Sequence, residues 1–189
     1  MSIYQFVKRL FDIIFALTLL LFLLPLFAIL AAVIKIQDGG PAIFKQKRVG
    51  KDGKEFIFYK FRSMPVSTPN VESRETQKLQ ITPFGKFIRR TNLDELPQFY
   101  NVLKGDMSFI GPRPPIPTQK DLVEMRRENG ALNIQPGLTG WAQVNAYDGM
   151  PTNEKADFDG EYAQRISLRL DLLILLKTVI YFTKKPPTY

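Results

Sequence analysis

The chain has 189 residues, with 26 Lys or Arg against 18 Asp or Glu, a formal net charge of +8, and neither Cys nor His. The two zeros exclude disulfides, Cys-rich zinc sites, Cys nucleophiles, His bases and the Ser-His-Asp triad, which leaves carboxylates, Lys, Arg, Tyr, hydroxyls or an oxygen-held metal for any chemistry. The length suits one domain, and the basic balance calls for an anionic partner: nucleic acid, a lipid surface or a phosphorylated substrate.

From Ile13 to Ile34 no residue is charged, about 22 residues or roughly 33 Å of helix, enough to cross a bilayer. A cleaved signal peptide fits poorly, because Asp12 borders the run and Lys35 and a basic stretch follow it without a small-residue cleavage site. Pro25 lies near the middle, where the missing N–H bends a helix. Two topologies fit these residues: a kinked spanning helix, or a re-entrant hairpin that leaves by the face it entered. Lys8 and Arg9 precede the run, and Lys35, Lys45, Lys47 and Arg48 follow it, so the positive-inside bias favours the hairpin.

Ala42–Val49 and Glu55–Phe61 are strand-like, with Gly50-Lys51-Asp52-Gly53 as the turn between them. Eight basic and three acidic residues fall between Lys35 and Arg62, a patch suited to anionic headgroups and equally suited to a solvated face. Val66 to Gln80 is a polar surface loop or lid. Thr82-Pro83 starts a short helix ending in Arg89 and Arg90. A second helix begins between Asn92 and Glu95 and runs to about Leu103, closed by Lys104-Gly105. Gly111 to Pro115 is an extended turn, and Gln119 to Asn129 a charged, exposed helix. Gln135 to Asn145 is a Gly-rich loop around the only Trp. It either lines a ligand pocket or is a tight turn around a core Trp. Ser167 caps a very apolar helix to Thr183, which suits a core or a headgroup plane.

The informative window is Arg89-Arg90-Thr91-Asn92-Leu93-Asp94-Glu95-Leu96-Pro97. Pro97 is comfortable only in a first turn, so the helix starts near Asp94, where the dipole favours anions. Two carboxylates beside two arginines suit Mg–diphosphate chemistry, and equally suit plain helix N-terminal acids. Arg113, between prolines, is held as a phosphate clamp would be, or is a surface arginine in a Pro-rich loop. No GxGxxG or Walker loop occurs.

The strings KRLFD (8–12), GPAIFKQKRVG (40–50), FYKFRSM (58–64), GKFIRRTNLDELPQFYNVLKGDMSFIGPRP (85–114), PGLTGWAQVN (136–145) and DGEYAQRISLRLDLLILLKT (159–178) follow in order. In this order the chain resembles the bacterial sugar transferases known as monotopic phosphoglycosyl transferases, from Lys8 to about Thr178. The resemblance is to their minimal catalytic unit, without the N-terminal transmembrane region of larger members. It implies an α+β, helix-dominated fold: a re-entrant membrane helix broken at Pro25 (residues 1–36), then a catalytic domain (37–189) with a small β-hairpin and interfacial amphipathic helices. It implies a protein on the cytoplasmic face of the bacterial inner membrane, seated on anionic phospholipid. Family members often carry Ser before the break proline, whereas Leu24 stands here, so Pro25 acts alone. The implied reaction passes a sugar-1-phosphate from a UDP-sugar to a polyprenyl (undecaprenyl) phosphate, the first membrane step of glycan assembly.

By the same resemblance Asp94 is the nucleophile and forms a covalent phosphosugar intermediate, releasing UMP. Glu95 is its acidic partner, taking the proton from the incoming polyprenyl phosphate. Mg2+, with Mn2+ as an alternative, is the cofactor and Asp94 its ligand. Arg113 holds phosphate, Arg89 and Arg90 precede the dyad, and Lys60 and Arg62 face the same anionic site. Asp159 matches an acid of the C-terminal motif and is counted with the substrate-binding residues. Two other readings stand beside this one. In the first, the lipid phosphate attacks directly, with Asp94 and Glu95 only holding Mg2+. In the second, the chain is a basic membrane-anchored binding module for phospholipid or nucleic acid. The ordered acidic and Gly-rich motifs argue against the module and against a nucleic-acid partner, since electrostatic binding needs neither.

Overall fold

The computed structural model describes residues 3–66, 68, 81–147 and 149–181. Helices α1 (Ile3–Phe22) and α2 (Leu24–Asp38) meet at Leu23 with a bend of 61°. Pro25 stands in the first turn of α2, so the Leu21 carbonyl lacks its helical donor at the break. No single helix among the described residues is long and apolar enough to cross a membrane; the bent pair meets that test together.

Strands β1 (Ile43–Val49) and β2 (Glu55–Phe61) form the expected antiparallel hairpin, with Ile43 opposite Phe61 and Val49 opposite Glu55. Helix α3 (Pro83–Arg90) starts as expected: the Thr82 hydroxyl accepts the Gly85 N–H at 2.9 Å. The next helix differs. Leu93–Glu95 is a 3₁₀ turn, and α4 begins only at Gln98 (Gln98–Lys104). Pro97 has no N–H for the Leu93 carbonyl, which accepts from Leu96 instead and tightens the turn. The loop expected from Val66 to Gln80 lies outside the described residues, apart from Val66 and Thr68.

Four elements were not expected, two strands and two helices, one of the helices inside the segment read as a Gly-rich loop. Strands β3 (Ser108–Ile110) and β4 (Gly137–Thr139) pair in parallel, with Ser108 opposite Gly137 and Ile110 opposite Thr139. They approach so closely that a side-chain carbon on Gly137 would overlap the Gly111 backbone. After α5 (Lys120–Glu128) and the short α6 (Trp141–Val144) comes α7 (Thr152–Gln164), which the reading above leaves unassigned. The chain ends in α8 (Leu168–Tyr181), with the Ser167 hydroxyl accepting the Leu170 N–H at 3.3 Å. The residues expected to continue it, 182 and 183, lie outside the described residues.

Helix α1 starts well before the charge-free run, and its first half is docked. Tyr4, Lys8, Asp12 and Ala16 recur every fourth residue and so share one face. The Tyr4 hydroxyl and Lys8 Nζ donate to Asp171 Oδ2 of α8 at 2.6 and 2.7 Å, and the Tyr162 hydroxyl of α7 donates to Oδ1 at 2.7 Å. Asp12 accepts the Phe109 N–H at 3.1 Å. Arg9 donates to the Val102 and Leu103 carbonyls at 2.7 and 3.0 Å, at the end of α4 where carbonyls and dipole favour a cation. Ala16 itself joins Phe58, Val102 and Met107 in one core cluster; Leu30, Ile34, Phe61 and Ile88 form a second around α2.

The opposite faces are apolar and exposed: Phe6, Leu10 and Leu17 on α1, Ile29 and Ile36 on α2, and Leu168, Leu172, Leu176 and Val179 on α8. Asp171 is the joint of α1, α7 and α8 and is itself buried. Removing its cation would leave a buried charge unpaired. Lys8→Met is therefore expected to cost about 3–5 kcal/mol. Tyr162→Phe, losing one donor to a carboxylate, should cost about 1.5–3 kcal/mol. Thermal unfolding in detergent, followed by circular dichroism, checks both and their order.

Candidate functional site

The chain leaves α3 through Asn92, whose left-handed backbone (φ 54°) is one that Asn tolerates better than most residues. The 3₁₀ turn then presents Asp94 and Glu95 toward β2 and Arg113. Lys60, near the end of β2, donates to Glu95 Oε1 at 2.6 Å and stands 3.8 Å from Asp94 Oδ2. Arg113 donates to Glu95 Oε1 at 2.6 Å and, more weakly, to Oε2 at 3.5 Å. Asn101 ties α4, just after this turn, to β2: its amide donates to the Ile57 carbonyl at 2.6 Å and its oxygen accepts the Tyr59 N–H at 3.2 Å.

The two adjacent carboxylates are driven apart. Burial alone would raise Glu95, but Arg113 and Lys60, by charge and hydrogen bond, outweigh it and hold the group well below the ordinary carboxylate range. Asp94 is buried and moves the other way. Burial raises it and the Glu95 charge adds, while Lys60, Arg89 and Arg113 only partly offset them.

Arg113 sits in a turn whose prolines at 112, 114 and 115 supply no N–H. Its four carbonyls each meet a donor from elsewhere. Gly137 N–H donates to Pro112 O at 2.9 Å, Arg126 to Arg113 O at 2.8 Å, Arg48 to Pro114 O at 3.0 Å and Val49 N–H to Pro115 O at 2.9 Å. Within the Gly-rich segment before Trp141, β4 thus braces the turn. Trp141 donates its indole N–H to Glu161 at 2.8 Å, beneath the Lys177 ammonium.

The structure brings together Lys60, Asp94, Glu95 and Arg113, with Arg89 near enough to act on Asp94 through its charge. Arg90 is exposed on α3 and forms no ion pair with a described residue. Arg62 is buried against Gly40, beneath the link from α2 to β1. Asp159 is buried away from the dyad, paired with Arg126. The reading above missed Asn101, Arg48 and Arg126. Arg48 is pushed down by burial and then by the Arg113 charge, which marks the surplus of positive charge here. Gln98, one turn after Asp94, is wholly buried with neither amide atom bonded among the described residues, an arrangement that costs stability. Only Leu122 and Arg126, one turn apart in α5, gave a hint of Arg126, as a charge on an apolar stripe.

No group of three or more acidic metal ligands occurs among the described residues. Asp94 nevertheless fits Mg2+, which is commonly held by one or two carboxylates with waters and substrate phosphates supplying the rest. Glu95 is already committed to two cations. A cavity of about 240 Å³ lies elsewhere, at the root of α1 beside Lys8, Asp12, Ser108 and Gln135, and none of the four clustered residues lines it.

A family model described as bacterial sugar transferase matches residues 3–185. The UDP-N-acetylgalactosamine-undecaprenyl-phosphate N-acetylgalactosaminephosphotransferase of Aeromonas hydrophila is 41% identical over 184 residues, covering 94% of this chain and 44% of the relative. The UDP-glucose:undecaprenyl-phosphate glucose-1-phosphate transferase of Escherichia coli (strain K12) is 41% identical over 184 residues, covering 93% and 40%. The chain thus spans less than half the length of these two relatives. The uncharacterized sugar transferase EpsL of Bacillus subtilis (strain 168) is 39% identical over 178 residues, covering 91% of this chain and 85% of the relative. With the match running from α1 past the end of α8, this chain belongs to the bacterial sugar transferase family.

Proposed function

We propose that the protein is a phosphoglycosyl transferase, passing a sugar-1-phosphate from a UDP-sugar to undecaprenyl phosphate in two steps. The observation that carries the reading is the divergence of the adjacent carboxylates: Glu95 clamped as an anion by Lys60 and Arg113, Asp94 buried without such a clamp and raised. The named relatives support the substrates.

In the first step an Asp94 carboxylate oxygen attacks the phosphorus that bears the sugar. An Asp94–phosphorus bond forms, the bond to the bridging oxygen breaks, and UMP leaves with the electron pair. In the second step an oxygen of undecaprenyl phosphate attacks the same phosphorus. The Asp94 bond breaks, the lipid diphosphate sugar departs, and the carboxylate is regenerated. Splitting the transfer lets a soluble donor and a membrane-bound acceptor use one site in turn. Lys60 and Arg113 orient the phosphate oxygens and stabilise their charge. Glu95, ionised and doubly bonded, orients those cations; it is poorly suited to take a proton. The acceptor needs little help, because a phosphate monoester with a second pKa of about 6 is mostly ionised at neutral pH. Bound Mg2+, held by Asp94, would neutralise diphosphate charge.

The bent α1–α2 pair supports a re-entrant segment, and the named relatives' undecaprenyl-phosphate substrate suits a membrane seat, which we place on the cytoplasmic face of the inner membrane. The apolar faces of α1 and α2, with that of α8, would lie in anionic phospholipid. On this reading Cys substitutions placed near residue 3 and near residue 181 both resist a membrane-impermeant maleimide added from the periplasm. Labelling of the first alone would establish a spanning anchor instead.

Intact mass spectrometry tests the chemistry. With Mg2+ and UDP-glucose, UDP-galactose or UDP-N-acetylgalactosamine, and no lipid acceptor, a sugar-phosphate adduct and one equivalent of UMP are expected. Asp94→Asn should give neither and remain folded. UMP release only when lipid is added would replace the covalent step with direct transfer. The metal-free protein gives a titration of known sign. Burial and the Glu95 charge raise Asp94, so its carboxyl, followed by NMR without Mg2+, should titrate above the ordinary carboxylate range, and Mg2+ on the same group should lower it. Lys60→Met removes the largest opposing charge, so the metal-free midpoint should move to higher pH.

A further inference from the structure

We infer that Arg126, anchored by Asp159, is a positioning residue for Arg113 and sets where the site's central guanidinium stands. The inference rests on the phosphoglycosyl-transfer reading.

Arg126 and Asp159 are each only 1% exposed. Arg126 Nε donates to Asp159 Oδ2 at 2.9 Å and a terminal nitrogen of the same guanidinium donates to the same oxygen. Its other terminal nitrogen donates to the Arg113 carbonyl at 2.8 Å. One planar group therefore spans a carboxylate on α7 and the backbone of the residue that grips Glu95. The approach of α5 to α7 is built for this contact. Asn129, just past α5, donates to the Ala156 carbonyl at 2.7 Å, and a side-chain carbon on Gly160 would stand 2.7 Å from its amide carbon.

Stability alone is a poor account of the pair. A buried ion pair seldom outperforms well-packed apolar side chains of similar size, because desolvation offsets the attraction. Here Asp159 Oδ1 is also buried with no hydrogen-bond partner among the described residues. An apolar pair could fill the space, but it could not donate to the Arg113 carbonyl.

The test is a double-mutant cycle with Arg113. Arg126→Lys keeps a cation for Asp159 but lacks the fork that reaches both partners. In Mg2+ it should lower kcat/KM for UMP release about 10²-fold, as small displacements of substrate-positioning groups do. It should also weaken the calorimetric affinity for inorganic diphosphate, with little change in melting temperature. In an Arg113→Ala background the same substitution should add nothing further to either loss. Wild-type kcat/KM and affinity in Arg126→Lys would overturn the inference. So would a loss of full size in the Arg113→Ala background, which would mean that Arg126 acts only through folding. If Arg126→Lys does not fold, Asp159→Asn enters the same cycle with the same expectations for kcat/KM and diphosphate affinity, but with a lower melting temperature, since it frees the anchor and leaves the buried Arg126 charge without its carboxylate. A wild-type protein that binds diphosphate but releases no UMP from any UDP-sugar refutes the functional reading, and the calorimetric cycle still decides the positioning role. A wild-type protein that binds no diphosphate overturns both.

Discussion

A segment with prolines at 112, 114 and 115 cannot fold upon its own N–H groups, so Arg113 stands wherever its surroundings hold it. Four successive carbonyls are held from β4, α5 and β1, through two backbone N–H groups and two arginines, Arg126 buried and Arg48 half-buried. Each such bond contributes only about 1 kcal/mol, but together they leave the turn no slack. The rest of the fold can be read as what brings those donors there. The hairpin carries Arg48 and Val49. The parallel pairing of β3 with β4 places Gly137. The packing of α5 on α7 turns Arg126 inward.

The same economy explains two neighbouring acids with opposite properties. Glu95 accepts from Lys60 and Arg113, which arrive from β2 and from the proline turn. Asp94, one residue earlier on a tight turn, is carried into burial but not into the clamp. A single 3₁₀ turn thus produces one fixed anion that orients cations and one carboxylate of raised pKa. Neither an isolated helix N-terminus nor the order of the two letters would separate them. The separation comes from what lies opposite.

Local signals were legible in the sequence: the hairpin and its Gly-rich turn, the Thr82-Pro83 cap, the Ser167 cap and the window from Arg89 to Pro97. Each is carried by neighbours in the chain. What stayed hidden is non-local. Helix α7 buries Ala156, Asp159, Gly160 and Tyr162, of which only Tyr162 is large and aromatic, so no apolar rhythm appears. Strands β3 and β4 are too short to alternate and find each other only across α5. Arg126 looked like one more charge on an exposed helix because its partner lies 33 residues away. Lys8 and Arg9 are flanking charges by their place in the sequence. They are in fact engaged with Asp171 and with the end of α4, so their position in sequence carries less topological weight than their number implied.

Helices α1 and α8 are inside-out by the standard of a protein dissolved in water. Their inner faces carry Tyr4, Lys8, Asp12, Asp171 and Thr178, while their outer faces are Phe, Leu, Ile and Val. Satisfied polar groups inside and apolar groups outside suit a hydrocarbon surround. This pattern, more than the length of the charge-free run, supports the membrane reading. It also links that surround to the chemistry. Asp12 of α1 holds the Phe109 N–H, and Thr178 of α8 bonds Thr139 at 2.7 Å. Phe109 lies in β3 and Thr139 in β4, the two strands that lead into and brace the turn of Arg113. In the re-entrant reading, the depth at which these helices sit therefore fixes the height of Arg113 above the lipid. For the membrane-confined acceptor proposed above, a link of that stiffness holds the Arg113 turn at one height, which a mobile tether between helices and turn would not do.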